Sequence, residues 1–194
     1  MIDLEPAARR LADLVAAVTD DQLAAPTVCP AYSLGDLVDH VDGLSQAFTA
    51  AATKELGDGE PQGPSGDASR LTPDFRVRIP GQLTALAEAW RDPQAWTGMT
   101  QAGGVDLPGE IAGLVALNEL VVHGWDVATA SGQAYQPDDE TLRADEGFLA
   151  QFSGPGNEDS RGDLFGPEVA VPADAPLLDR LIGMAGRDPG WRPA

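Results

Sequence analysis

The sequence predicts an all-α protein, an up-and-down four-helix bundle with a short C-terminal extension. Three observations carry that expectation. Four long segments place apolar residues at helical spacing. The connections between them are short to medium, as antiparallel neighbours require. The chain has 194 residues, 43% of them apolar, which is enough for a sizeable core and too apolar for a disordered chain. No internal repeat or clear boundary interrupts it, so residues 1–194 read as a single helical domain. Within it, 152–194 reads as an extended segment and a short helix packed on the bundle.

The first helix runs from about Asp3 to Val18, with Leu4, Ala8, Leu11, Leu14, Val15 and Val18 in register and Pro6 tolerated in the first turn. After "DDQLAAPTVCPAY" a second helix opens at Ser33, with Asp36 three residues on as a capping-box partner. Its apolar face, Leu34, Leu37, Val38, Val41, Leu44 and Phe48, reaches to about Glu55. "GDGEPQGPSGDAS" reads as an exposed loop. The third helix covers roughly Pro73 to Trp90, with a kink or late start expected at Pro80. "DPQAWTGMTQAGGVDLPG" reads as irregular, with a short extended piece at most. Pro108 starts a fourth helix that ends before Gly132. A fifth spans about Pro137 to Phe152 and a last short one about Ala175 to Ala185, separated by the Pro-broken "FGPEVAVPADAP".

Acidic residues number 31 against 12 basic ones, a net charge of −19. Such a surface repels phosphate backbones and anionic lipid, so neither nucleic acid nor a membrane is expected as partner. Cys29 is the single cysteine, which excludes an internal disulfide and points to a reducing compartment. "MIDLEPAARR" lacks the basic, apolar and small-residue order of a signal peptide. The apolar "IAGLVALNELVV" is too short to cross a bilayer and contains an acid. The expectation is a cytoplasmic protein, a monomer or a homodimer. Nucleotide-binding glycine motifs, a Walker loop and a serine-hydrolase elbow are all missing from the sequence.

The chemistry concentrates in "NELVVHGWDVATASG", residues 118–132. This helix is apolar nearly all the way round, yet carries Glu119 and His123 at i, i+4, projecting from one face. A buried carboxylate and imidazole are costly unless paired. The chain has two histidines, and the other, His40, shares the core-facing stripe of the second helix with Leu37 and Leu44. If the second and fourth helices are neighbours, His40, Glu119 and His123 converge. Two imidazoles and a carboxylate suit a divalent transition metal, and three ligands leave positions open, as a catalytic site requires. Asp126, three residues after His123, is placed either to hold the far nitrogen of that imidazole or merely as polarity near the helix end. Trp125 reads as core, and Cys29 as a small buried residue in preference to a nucleophile. "NEDSRGDLFGPE" mimics a calcium loop, but Arg161 stands where an oxygen ligand is needed, so calcium is not expected there.

"CPAYSLGDLVDHV", "NELVVHGWDVATASGQ" and "FGPEVAVPADAPLLDRLIGMAGRDPGW" together resemble the mycothiol-dependent maleylpyruvate isomerase-like proteins, an actinobacterial group of the DinB/YfiT-like helical superfamily. The resemblance spans nearly the whole chain and implies an up-and-down four-helix bundle. It also implies a divalent metal on the matching residues, His40, Glu119 and His123, and mycothiol as thiol cosubstrate. The isomerase itself carries a further C-terminal domain contributing to its active site, so the resemblance implies the metal-binding bundle more than that particular isomerisation.

Three functions remain open on the sequence. The leading one is a metalloenzyme of transferase or isomerase type that uses a small-molecule thiol against an electrophilic substrate, with zinc as the ion, or else nickel, iron or manganese. The others are a non-catalytic metal-binding module, such as a sensor or carrier, and a metal-free bundle with a His–Glu–His cluster.

Overall fold

The computed structural model describes residues 1–55, 65–161 and 165–193. Those residues form six α-helices and one two-stranded sheet: α1 (Glu5–Ala17), α2 (Leu34–Thr53), α3 (Phe75–Ala89), β1 (Met99–Ala102), β2 (Val105–Pro108), α4 (Gly109–Ser131), α5 (Asp139–Leu149) and α6 (Leu177–Met184). Short 3-10 turns fill several of the connections, one of them continuing α5 through Phe152.

The helix ends follow local chemistry. Ser33 Oγ accepts from the Asp36 amide at 3.2 Å, while Asp36 Oδ2 accepts from the Ser33 amide at 2.9 Å, so the capping box forms as expected. Gly132 closes α4 at φ 71°, a backbone conformation that disfavours residues with a Cβ. α3 begins at Phe75 and carries Pro80 within it, so Pro80 does not delay its start. The short extended piece allowed for in this stretch is two paired strands closed by a tight turn: Ala102 pairs with Val105 across Gly103 and Gly104, whose φ angles are 57° and 83°. Two consecutive positive φ values make the turn whose twist matches paired strands, and Gly-Gly supplies them without strain.

The four long helices pack pairwise, α1 and α2 each against both α3 and α4. Leu11, Val15, Leu34, Val38, Val41, Ile79, Leu83, Leu117, Leu120 and Val121 are almost wholly removed from water at their centre. An up-and-down order makes α2 and α3 antiparallel, but they run parallel. Asp42 pairs with Arg78 at 2.7 Å, Ser45 meets Gln82 at 3.4 Å, and the Trp90 indole donates to the Phe48 carbonyl at 3.0 Å. The chain is therefore back at the start of α2 before α3 begins. By Gly66 it lies against the beginning of α2, where the Gly66 amide donates to Tyr32 Oη at 3.0 Å and the Ala68 amide to Asp36 Oδ1 at 2.8 Å. Periodicity defines which face of a helix is buried, not its direction. The connection after Lys54 is long enough to allow that return.

Outside this group, α5 packs on α4 and on α6. α4 is long and apolar enough, by length and composition, to cross a membrane, but most of it is buried inside the fold. Its 23 residues exceed the apolar stretch visible in the sequence, so length does not argue against a span; burial does. The acidic Gly/Pro loop falls partly on 56–64, and the calcium-loop mimic includes Gly162 and Asp163; both lie partly outside the described residues. Arg161 is buried and donates to the carbonyls of Gly166, Phe152 and Met184, which makes it a clasp on the C-terminal segment.

Candidate metal centre

Two helices carry the centre. On α2, Leu37, Val41 and Leu44 anchor the inner face, with 0–2% exposure, and hold His40 in the seam toward α4. On α4, Leu120, Val121 and Val122 are buried around Glu119 and His123. Gly124 lets the Tyr135 ring close over α4 beside His123: a Cβ there would stand 2.6 Å from Tyr135 Oη. That hydroxyl donates to the Val121 carbonyl at 2.8 Å.

His40, Glu119 and His123 come together as the sequence predicts. His123 Nε2 lies 2.9 Å from Glu119 Oε2 and 3.2 Å from His40 Nε2, and His40 Nε2 lies 3.9 Å from Glu119 Oε2. The two imidazoles meet edge to face, with centroids 4.8 Å apart. The side chains retain 13–28% exposure, so the cluster is partly open to solvent and is not sealed in the core.

The spacing fits a metal. Bonds of about 2.0–2.2 Å place the donors of a tetrahedral ion ~3.3 Å apart. Two of the gaps, at 2.9 and 3.2 Å, are close to that, and the third, at 3.9 Å, closes with an adjustment of roughly half an ångström. Among the described residues this is the one group of three potential ligands that converges in this way.

Asp126 takes the role of orienting His123. Its Oδ2 lies 3.0 Å from His123 Nδ1, and the side chain is buried on the inner face of α4. Burial works against its negative charge, but Arg187 and His123 outweigh that and hold its carboxyl below the usual range. An ionised carboxylate only accepts, so Nδ1 carries the hydrogen and Nε2 is the nitrogen turned to Glu119 and His40.

Burial also opposes charge on His123, yet the hydrogen bonds to Asp126 and Glu119 overcome it and raise the imidazole to about 9. Glu119 shows the converse. Burial pushes its carboxyl up, while His123 and His40 together pull it far below the ordinary range. Both shifts favour a proton on His123, placed between the carboxylates of Glu119 and Asp126.

Several neighbours were not foreseen. Tyr32 packs against His40 with centroids 5.8 Å apart and ties it to the segment at Gly66. Asn118 donates to Asp145 of α5 at 2.9 Å, and burial raises that carboxyl to about 7. Arg187, far along the chain, reaches Asp126 at 3.2 Å. No spacing rule marks any of these, because each joins elements whose contact is decided by tertiary packing. Trp125 is buried as expected, whereas Cys29 is only partly buried, short of the fully buried place expected for it. It stands in a turn where its amide donates to Thr27 Oγ1 at 3.2 Å, and that turn keeps it out of the core.

Residues 4–128, which contain all three clustered side chains, match the mycothiol maleylpyruvate isomerase N-terminal domain family. The chain belongs to that family. Two uncharacterized proteins of Mycobacterium tuberculosis, from strains CDC 1551 and H37Rv, are each 28% identical over 182 residues, covering 91% of this chain and 91% of their own. The likeness to these mycobacterial relatives thus extends past the matched family segment. No solved structure matches the chain significantly.

Proposed function

We propose that this protein binds one divalent metal through His40, Glu119 and His123 and uses it with a low-molecular-weight thiol, mycothiol, in a transferase or isomerase reaction. The observation that carries the reading is the convergence of two imidazole nitrogens and a carboxylate oxygen at 2.9–3.9 Å, on side chains that keep some solvent exposure. The family description supports the choice of thiol. Zinc suits this donor set best, with nickel, iron and manganese next. We read residues 1–194 as one DinB-like domain whose four long helices form the bundle around the site.

A bound divalent ion supplies a positive charge that lowers the pKa of a thiol or water, giving a nucleophile at neutral pH. The chain's own residues do the rest. Asp126 holds the proton of His123 Nδ1 and so fixes the ring plane. Glu119 would contribute the one negative charge among the ligands, so a divalent ion held there would keep a net positive charge. The Tyr32 ring packs beside His40 and covers part of that imidazole.

A metal-free reading has its own support, since the 2.9 Å His123–Glu119 contact satisfies the cluster as an ion pair. A cobalt-substituted sample decides between these readings. Cobalt bound by the three side chains gives a d–d spectrum, and millimolar mycothiol is expected to add a sulfur-to-metal charge-transfer band. No cobalt uptake favours the metal-free cluster. Uptake with a spectrum indifferent to thiol leaves a binding module and removes the thiol chemistry.

A further inference from the structure

We propose that Arg187, in the segment following α6, is a positioning residue for the centre, acting on His123 through Asp126. Its guanidinium grips the carboxylate with two groups: Nη2 donates to Asp126 Oδ2 at 3.2 Å and Nε to Oδ1 at 3.4 Å. The same Oδ2 accepts from His123 Nδ1 at 3.0 Å. A carboxylate held at both oxygens has a fixed plane, so the hydrogen-bond direction offered to the imidazole is fixed too. Asp126 alone, on a two-torsion side chain, would not impose that direction.

The C-terminal segment is built to present this side chain. α6 ends in a turn at Gly186, φ 81°, after which the Arg187 amide bonds back to the Ile182 carbonyl at 3.0 Å. A Cβ at Gly186 would stand 2.8 Å from the Gly166 carbonyl, so the close approach of the two strands of chain requires glycine. Arg187 Nη1 also donates to the Ala185 carbonyl at 2.8 Å, which leaves the fork a single orientation toward α4. The side chain is about one-fifth exposed and Asp126 almost fully buried, so water competes little for the pair. Arg187 lies outside the 4–128 family match, so nothing in that match assigns it a role.

The inference rests on the metal reading for its consequence but not for its geometry, and the test separates the two. Zinc affinity is measured by chelator competition at pH 8 for the wild type, Arg187→Met, Asp126→Asn and the double variant. Arg187→Met is expected to lower affinity by about tenfold, the scale of lost support behind a metal ligand. In the Asp126→Asn background the same change is expected to cost less than about twofold, because the path runs through Asp126. Equal losses in both backgrounds, or wild-type affinity in Arg187→Met, overturn the proposal. Arg187→Lys keeps the charge without the fork and is expected to fall between the two, which covers the case in which Arg187→Met does not fold. The metal-free protein gives a second readout. With two histidines in the chain, the low-field Nδ1–H proton of His123 is readily assigned by NMR. It is expected to be observed in the wild type and broadened by exchange in Arg187→Met and Arg187→Lys. If the wild type takes up no zinc, the metal reading fails and this proton signal still decides the relay; if the signal is unchanged in the variants, the relay fails.

Discussion

Raising the pH should tighten metal binding well beyond the range in which ordinary histidines titrate. The perturbation is pH alone, from 7 to 9. His123 lies between Asp126 at 3.0 Å and Glu119 at 2.9 Å, which outweigh burial and hold its imidazole at about 9. A metal accepts only the neutral ring, so the proton is a competitor. The sign follows directly: a raised pKa keeps the competitor bound through neutrality, and affinity climbs until pH passes about 9. At pH 7 the ring lies two units below its midpoint, so about 1% is neutral and apparent affinity stands ~100-fold below its plateau, or about 3 kcal/mol. An unperturbed histidine near 6.5 would give almost no change over the same interval. The assay is competition against a chromophoric chelator at half-unit steps, corrected for the chelator's own protonation. Calorimetry in buffers of different ionisation enthalpy adds the proton count, expected to be close to one per ion at pH 7.5. An affinity flat between pH 7 and 9, with no proton released, would refute the reasoning, because His123 would then not be both proton-loaded and a ligand.

The same pair governs the metal-free fold, with the opposite trend. Because the folded-state pKa of His123 is raised, its contribution is fully present below about pH 6.5 and lost as pH rises through about 9; urea unfolding in chelator should show a decline on the order of 2–3 kcal/mol that excess zinc abolishes. Gly124→Ala places a methyl 2.6 Å from Tyr135 Oη and is expected to cost about 1–3 kcal/mol by displacing the ring and its bond to the Val121 carbonyl, read as a lower urea midpoint at unchanged slope. Cys29→Ser should leave any thiol-induced cobalt band intact, since the sulfur comes from added mycothiol. Loss of the band in that variant would make the chain's own cysteine the donor.

The elements were legible wherever a side chain announces a backbone need. Ser33 and Asp36 mark the start of α2 because each satisfies the other's amide, and Gly132 marks the end of α4 because its φ is positive. The site was legible for a similar reason: Glu119 and His123 stand one turn apart on a helix with little polar face, and His40 is the one other histidine. The parallel run of α2 and α3 was not legible, since helical periodicity is the same read in either direction. The hairpin was signalled by Gly103–Gly104, but its short strands carry too little alternation to stand out from a loop. Arg187 meets Asp126 only after α6 and its glycine turn fold back on α4, and no local pattern encodes that meeting.

Whether the three side chains hold an ion is decided by metal stoichiometry. Protein purified without chelator is dialysed against micromolar zinc at pH 8 and analysed for bound metal, beside His40→Ala, Glu119→Ala and His123→Ala. The account predicts one ion per wild-type chain and at least a tenfold loss of affinity in each variant, since two remaining donors no longer offset the dehydration of the ion. A wild-type protein that binds no zinc, nickel, iron or manganese would contradict it, as would a His123→Ala protein that still binds zinc one to one.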